Sequence, residues 1–424
     1  MFCRPFLQSW MSRDNSCSAL SRSVRPRSPW QKMCRRPAAG ATAAATGQTW
    51  RMRELSVRDQ GGMSLSAFVL LFCFTCFTQC PVVAFTSESL DFHWPGSRIV
   101  AIGDLHGDLG NTVLLLYGAG VVDENGDWIG GDTLLVQTGD IVDRGPDGKR
   151  IYDYFARLSS QARERGGKVV QLLGNHDVMN ICGDFRYAHP SETKEFGGPS
   201  GRRRQFMDDG SYGRLLRSYP AAVKVDGVVF SHAGIPKEFA DMGLLKLTNQ
   251  LHEELADDCK LHNTRFYNEV TALSPSSDLF VAGSHGPLWT RVFSMGETSR
   301  ICEELDNTLA ALGAGKMVIG HTVQESGNIE AYCDGRLLLI DTGISRYVAN
   351  SPRMLEIHDG AFYEWKADVA EQGSGEPRVR ASKRRLNVPA LREQPDADSP
   401  PQRGDDDTAR AQTPPPEGAR SDEL

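Results

Sequence analysis

Residues 99–102, 133–137 and 168–173 are apolar runs, and each closes on a short polar segment: GDLHG at 103–107, GDIVDRG at 139–145 and GNHD at 174–177. Short runs of this kind bounded by glycine read as strands of an α/β sheet. In such a sheet the loops beyond the carboxyl ends of the strands converge on one crevice. Residues far apart in sequence, among them Asp104, His106, Asp140, Asp143, Arg144, Asn175 and His176, are therefore expected to meet. Two later β-branched runs have the same layout and add His232, in VVFSHAG at 228–234, and His321, in MVIGHT at 317–322. A lone Asp or His at a strand end is usually a turn or capping residue; five such ends in one chain point to a site.

These segments resemble the phosphoprotein phosphatase family of metallophosphoesterases, whose signature runs GDxHG, GDxxDRG and GNH with Glu or Asp next, followed by two histidines. The wording GNHDVMN, GDFRYA, GPLWTR and VIGHT is most similar to the Shewanella-like branch, over residues 98–365. The resemblance implies an α/β chain with the calcineurin-like metallophosphoesterase fold, a central β-sandwich flanked by helices. It implies that Asp104 and His106 hold a first metal, that Asp140 bridges, and that Asn175, His232 and His321 hold a second. The expected cofactors are two divalent ions, manganese, iron or zinc. Most eukaryotic members have GNHE where this chain has GNHD, and their SAPNYC-type segment has no counterpart here. Toxin sensitivity and regulatory-subunit binding therefore do not carry over; the chemistry does.

Residue types support that chemistry. Paired divalent ions about 3.5–4 Å apart need a bridging carboxylate with oxygen and imidazole ligands, and can bind phosphate and activate water. The leaving alkoxide needs a proton, which a charged imidazole supplies near neutral pH. His176 is the candidate acid, with Asp143 orienting it as in the family; Asp177, its neighbour in sequence, competes for that role. Guanidinium forks suit phosphate oxygens, and Arg144 and Arg291 are the candidates, with Asn175 adding an amide donor. The expected reaction is direct in-line attack by a metal-bound hydroxide, without a phosphoenzyme.

Between GNHD and His232 lies a stretch of about fifty residues, a length that usually makes a lid or side wall. Arg186, Tyr187 and Tyr212 in it are candidate substrate-wall residues. The run Arg202-Arg203-Arg204 reads as a solvated face, and His285 as an ordinary loop histidine.

The 424 residues, with net charge −7, allow one sizeable α/β domain and long tails and do not argue for nucleic acid. Residues 1–62 carry eleven Lys or Arg against three acids and read as a basic disordered leader, or as a gene-model extension ahead of Met52 or Met63. Residues 63–86 read as a signal peptide or signal anchor, the latter a membrane tether, and place the domain in a lumen. The catalytic domain is expected at 91–366 and a disordered tail at 367–424. The last residues, SDEL, are one letter from the KDEL signal and imply a retrieval receptor in the endoplasmic reticulum. Cys182, Cys259, Cys302 and Cys333 allow two disulfides in three connectivities or free thiols. A phosphoprotein substrate is the leading expectation. A small-molecule phosphoesterase of the diadenosine tetraphosphate hydrolase kind, and a non-catalytic binding module, are the alternatives.

Overall fold

The apolar runs become the strands that carry the motifs. The protein is described by a computed structural model over residues 85–265, 281–370 and 378–390. Its strands are β1 (Asp91–Phe92), β2 (Arg98–Ile102), β3 (Leu134–Gln137), β4 (Lys168–Gln171), β5 (Ala222–Val225), β6 (Val228–Ser231), β7 (Lys316–Ile319), β8 (Glu330–Tyr332), β9 (Leu337–Leu339), β10 (Arg353–His358), β11 (Ala361–Ala370) and β12 (Arg378–Arg385). They form two six-stranded sheets, ordered β1-β5-β6-β7-β9-β8 and β12-β11-β10-β2-β3-β4. Strands β3, β6, β7 and β9 are buried along their whole length. That is why they read as continuous apolar runs rather than alternating ones.

Register decides where the motifs go. In the parallel group β2-β3-β4, Ile102 pairs with Gln137 and Gln137 with Gln171, so the carboxyl ends stand level and the three motif loops lie side by side. In the other sheet, parallel β6 and β7 pair Ser231 with Ile319, which brings the following His232 and His321 to one height. The two sheets meet at these ends, where the backbone N–H of His321 donates to Asp104 Oδ1 at 3.1 Å. Away from the ends they touch through the Lys316 ammonium, 5.2 Å from the Phe362 ring centroid.

Helices cover the sheets where their apolar spacing allows. Leu109–Gly118 starts at Asp108, whose side chain accepts from Asn111 N–H, and packs on β11 and β12. Gly148–Glu164 buries Ile151, Tyr152, Phe155, Leu158 and Ala162 at three- and four-residue spacing and packs on β4. Asn175–Ile181 begins on the GNHD motif itself, so Asn175 and His176 occupy its first turn. The stretch before β5 folds into Pro190–Glu195, Gly198–Phe206 and Ser211–Leu216.

The expected domain end at residue 366 is too early. Strand β11 runs on to Ala370, and β12, assigned from sequence to the disordered tail, pairs antiparallel with it from Tyr363↔Arg385 to Ala370↔Arg378. Composition hides this strand because charge rather than apolar area holds it. Lys383 reaches buried Glu356, and Arg384 reaches buried Glu364 at 3.1 Å. Lys383 also lies 4.0 Å from the Tyr363 ring centroid. A charged edge strand of this kind resists pairing with another chain. Residues 371–377 and 391–424, including SDEL, lie outside the described residues, as do residues 1–84 with the apolar segment. Among the described residues no helix is long and apolar enough to cross a membrane.

Cys302 and Cys333 form a disulfide with Cα atoms 5.3 Å apart. Cys182 is disulfide-bonded too; the Cys259 side chain lies outside the described residues.

Candidate active site

The motif loops bring two groups of donors together around one carboxylate. His106, Asp140 and His176 place ligating atoms within 4.8 Å of one another, and so do Asp140, His232 and His321; all five are buried. Asp140 belongs to both groups, with Oδ2 3.8 Å from His106 Nε2 and 3.6 Å from His232 Nε2. Asn175 Oδ1 lies 2.8 Å from His232 Nε2 and 3.0 Å from His321 Nδ1, and those two nitrogens are 3.2 Å apart. Asp104 joins by another route, through the His321 backbone N–H and its charge against Asp140.

The outward nitrogens explain the inward ones. His106 Nδ1 donates to the Val142 carbonyl, His232 Nδ1 to the Thr138 carbonyl and His321 Nε2 to the Trp289 carbonyl. Carbonyls only accept, so each outer nitrogen carries the ring proton and each inner one presents a lone pair, the arrangement of metal-binding histidines. Burial keeps these rings neutral. It pulls His106 well below the ordinary imidazole value, His232 down to about 3, and His321, also facing His232, to about 2.

The donors fit cations. Lone pairs about 3 Å apart repel unless an ion roughly 2.1 Å from each stands among them. Carboxylates tell the same story, since burial, then Asp341 and Asp140, push Asp104 well above the usual range. Asp341 is itself raised to about 6, chiefly by burial. Buried anions of this density call for compensating positive charge.

His176 stands apart from the other three. Its Nδ1 faces a carboxylate, Asp143 Oδ2 at 2.8 Å, not a carbonyl. Burial lowers its pKa, but the charge of Asp140 and the hydrogen bond and charge of Asp143 outweigh that, and the net shift is upward. Asp177 does not compete for this ring. Its carboxylate accepts from the backbone N–H groups of Asp140 at 2.9 Å and Gly174 at 3.0 Å and from the Tyr152 hydroxyl, so it braces two motif loops against each other.

The loops are held in costly conformations. His106, Asp140, Asp143, Arg144 and His321 all have φ between 39° and 70°, the left-handed region that costs non-glycine residues about 1–3 kcal/mol each. The motif glycines allow the close approach. A Cβ on Gly174 would lie 2.2 Å from Asp140 Oδ1, and one on Gly320 2.4 Å from Asp104 Oδ1.

Two exposed guanidiniums flank the cluster. Arg144 bears electrostatically on His106 and His176, and its Cζ is 5.5 Å from the Tyr187 ring centroid. Arg291 bears on His232 and His321 and donates to Thr322 Oγ1 at 2.7 Å. Tyr187, 47% exposed, lies 5.1 Å from the His176 ring. Arg186 is engaged with Asp184, and His285 is exposed.

Two expectations from the sequence fail in the intervening stretch. Tyr212 is no substrate wall: it is buried against Tyr152, Phe196 and Phe206 with its hydroxyl on Asp153 at 2.7 Å. Arg202 is no solvated residue: it is fully buried behind Asp143, while Arg204 is exposed. Their helix turns one residue of the triplet inward together with Phe206, four positions on. Asp341 is a residue of the cluster that the sequence reading misses, although the apolar run 337–340 closing on Asp-Thr-Gly repeats the layout of the other motifs.

The calcineurin-like phosphoesterase profile matches residues 97–325. The chain belongs to that family. Among similar proteins, Shewanella-like protein phosphatase 1 of Plasmodium berghei is 32% identical, over 63% of this chain and 73% of the relative. An uncharacterised protein of Schizosaccharomyces pombe is 37% identical over 61% and 76%. A solved cold-active protein tyrosine phosphatase from a psychrophilic Shewanella superposes with a TM-score of 0.54 at 26% identity, over 65% of this chain and 78% of that one. As a calcineurin-like phosphoesterase with protein phosphatases among its relatives, the chain is a metal-binding phosphoester hydrolase.

Proposed function

We propose that this phosphoesterase is a protein phosphatase acting on phosphoserine and phosphothreonine, with phosphotyrosine in its range, at a two-metal site. The observation that carries the reading is Asp140, one carboxylate common to two groups of donors. Asp104, His106 and Asp140 would hold one ion, and Asp140, Asn175, His232 and His321 the other. Bound there, divalent cations would activate water and offset charge on the phosphoryl group. The chain's own residues do the rest. Arg144 and Arg291 orient the non-bridging oxygens from opposite sides, and His176, held by Asp143, gives its proton to the leaving oxygen.

The names of the relatives favour a protein substrate, and the exposed rings of Tyr187 and Tyr347 offer apolar surface on the Arg144 side. Kinetics on matched phosphoserine, phosphothreonine and phosphotyrosine peptides beside diadenosine tetraphosphate test this. Higher kcat/KM on the peptides is expected; preference for the dinucleotide would replace the reading with a small-molecule hydrolase.

The reading also extends to place. The Cys302–Cys333 disulfide suits an oxidising compartment, and agrees with the signal and SDEL segments read from sequence. Deleting residues 421–424 is expected to move the protein from the endoplasmic reticulum to later secretory compartments or the medium, scored by localisation of a tagged chain. Deleting 67–77 should leave it in the cytosol. A tail-deleted protein that stays reticular would remove the retrieval signal from the account.

A further inference from the structure

Arg202 is the largest charged side chain buried completely among the described residues, and nothing in the reaction outlined above uses it. Burying a guanidinium costs several kcal/mol unless every donor is matched. Here the matching partners lead straight to the proposed acid. Arg202 Nη1 donates to Glu192 Oε2 at 2.6 Å. Nε and Nη2 donate to Asn180 Oδ1 at 2.9 and 2.6 Å, and Nη2 also to Asp143 Oδ1 at 3.2 Å. Phe185, Phe196 and Phe206 enclose the guanidinium, with ring centroids 4.9–5.4 Å from Cζ.

The consequence falls on Asp143. Its Oδ1 accepts from Arg202 and from Asn180 Nδ2 at 3.1 Å, which leaves Oδ2 alone for His176 Nδ1. Asn180 Nδ2 also donates to the His176 carbonyl at 2.9 Å, so the same amide ties down both members of the pair. The carboxylate is clamped at both oxygens and cannot rotate. A bare arginine would also cancel much of the Asp143 charge felt by His176; Glu192, fully buried on the far side of the fork, offsets it.

We propose that Arg202, balanced by Glu192 and joined through Asn180, is a positioning residue for the general acid: it fixes the Asp143 carboxylate so that His176 Nε2 is aimed at the leaving oxygen. The helices that supply Glu192 and Arg202 belong to the stretch between GNHD and β5. That stretch is thus part of the proton-transfer apparatus as well as a wall. The inference rests on His176 being the proton donor.

The test compares Arg202→Met, Arg202→Lys and His176→Asn in the full chain, each with a phosphoserine peptide and an aryl phosphate with a good leaving group. Arg202→Met should lower kcat for the peptide by about 10–100-fold, the usual cost of losing an outer-sphere partner. It should lower kcat for the aryl ester much less, with KM and metal content unchanged. Arg202→Lys, which keeps the charge and loses the fork, should restore only part. If Arg202→Met folds poorly, the double variant Glu192→Gln/Arg202→Met removes both charges together and should give the same substrate dependence. Equal losses on the two substrates, or none, while His176→Asn discriminates between them, would overturn this inference alone. No discrimination by His176→Asn would overturn the acid assignment and the inference with it.

Discussion

Asp140→Asn is expected to abolish turnover and to lower the content of both metals. Asn is nearly isosteric and keeps an oxygen to accept the His176 backbone N–H, which Asp140 Oδ1 does at 2.9 Å. What it loses is the negative charge standing 3.8 Å from His106 Nε2 and 3.6 Å from His232 Nε2. Two cations held close together there would repel, and a carboxylate common to both donor groups would offset that repulsion. Its removal should weaken both sites, whereas removing a ligand of one site alone should spare the other. Unfolding would mimic this result, but the sign of the Asp140 shift argues against it. Burial raises the Asp140 pKa, so in the metal-free protein its charge works against folding. Metal-free Asp140→Asn should therefore melt no lower than the metal-free parent. Elemental analysis with calorimetry separates the cases, and full metal occupancy with parental turnover would sink the bridging role.

The parts of the fold legible in the sequence are those whose burial leaves a pattern. Strands β3, β6 and β7 are enclosed on both faces and so are mostly apolar, and the polar segments at the ends of β2, β3, β4, β6 and β7 mark where the chain turns toward a shared crevice. Strand β12 left no such trace, because its neighbours hold it through Glu356 and Glu364 and its residues 380–385 are exposed. The choice between Asp143 and Asp177 as partner of His176 could not come from adjacency. Asp177 follows His176 in the same helix, yet its carboxylate turns back to the Asp140 and Gly174 backbone. Arg202 and Tyr212 escaped for a related reason. In the stretch between GNHD and β5 several short helices share a small aromatic cluster, and which face of each turns inward depends on its neighbours rather than on its own composition.

His176→Asn is expected to keep the metals and lose roughly 10²–10⁴-fold in turnover on alkyl phosphates, the usual worth of a positioned general acid. Geometry separates this residue from the three histidines whose inner nitrogens face Asp140 and Asn175. Each of those hydrogen-bonds outward to a carbonyl and is driven toward the neutral form, while His176 is backed by a buried carboxylate and driven toward the charged one. A group with a raised pKa holds its proton to higher pH, so the parent should stay active above the ordinary imidazole range and lose rate as pH rises through the shifted value. The substituted amide has no proton to lose there, so that alkaline limb should vanish in the variant. An aryl leaving group departs as a weak base and needs little protonation, so the loss should shrink on aryl phosphates. A pH profile and a leaving-group series on the same preparation read both effects. Equal losses across leaving groups with the alkaline limb intact would place the proton donor elsewhere and leave His176 as a metal ligand, the role its distance to His106 and Asp140 also permits.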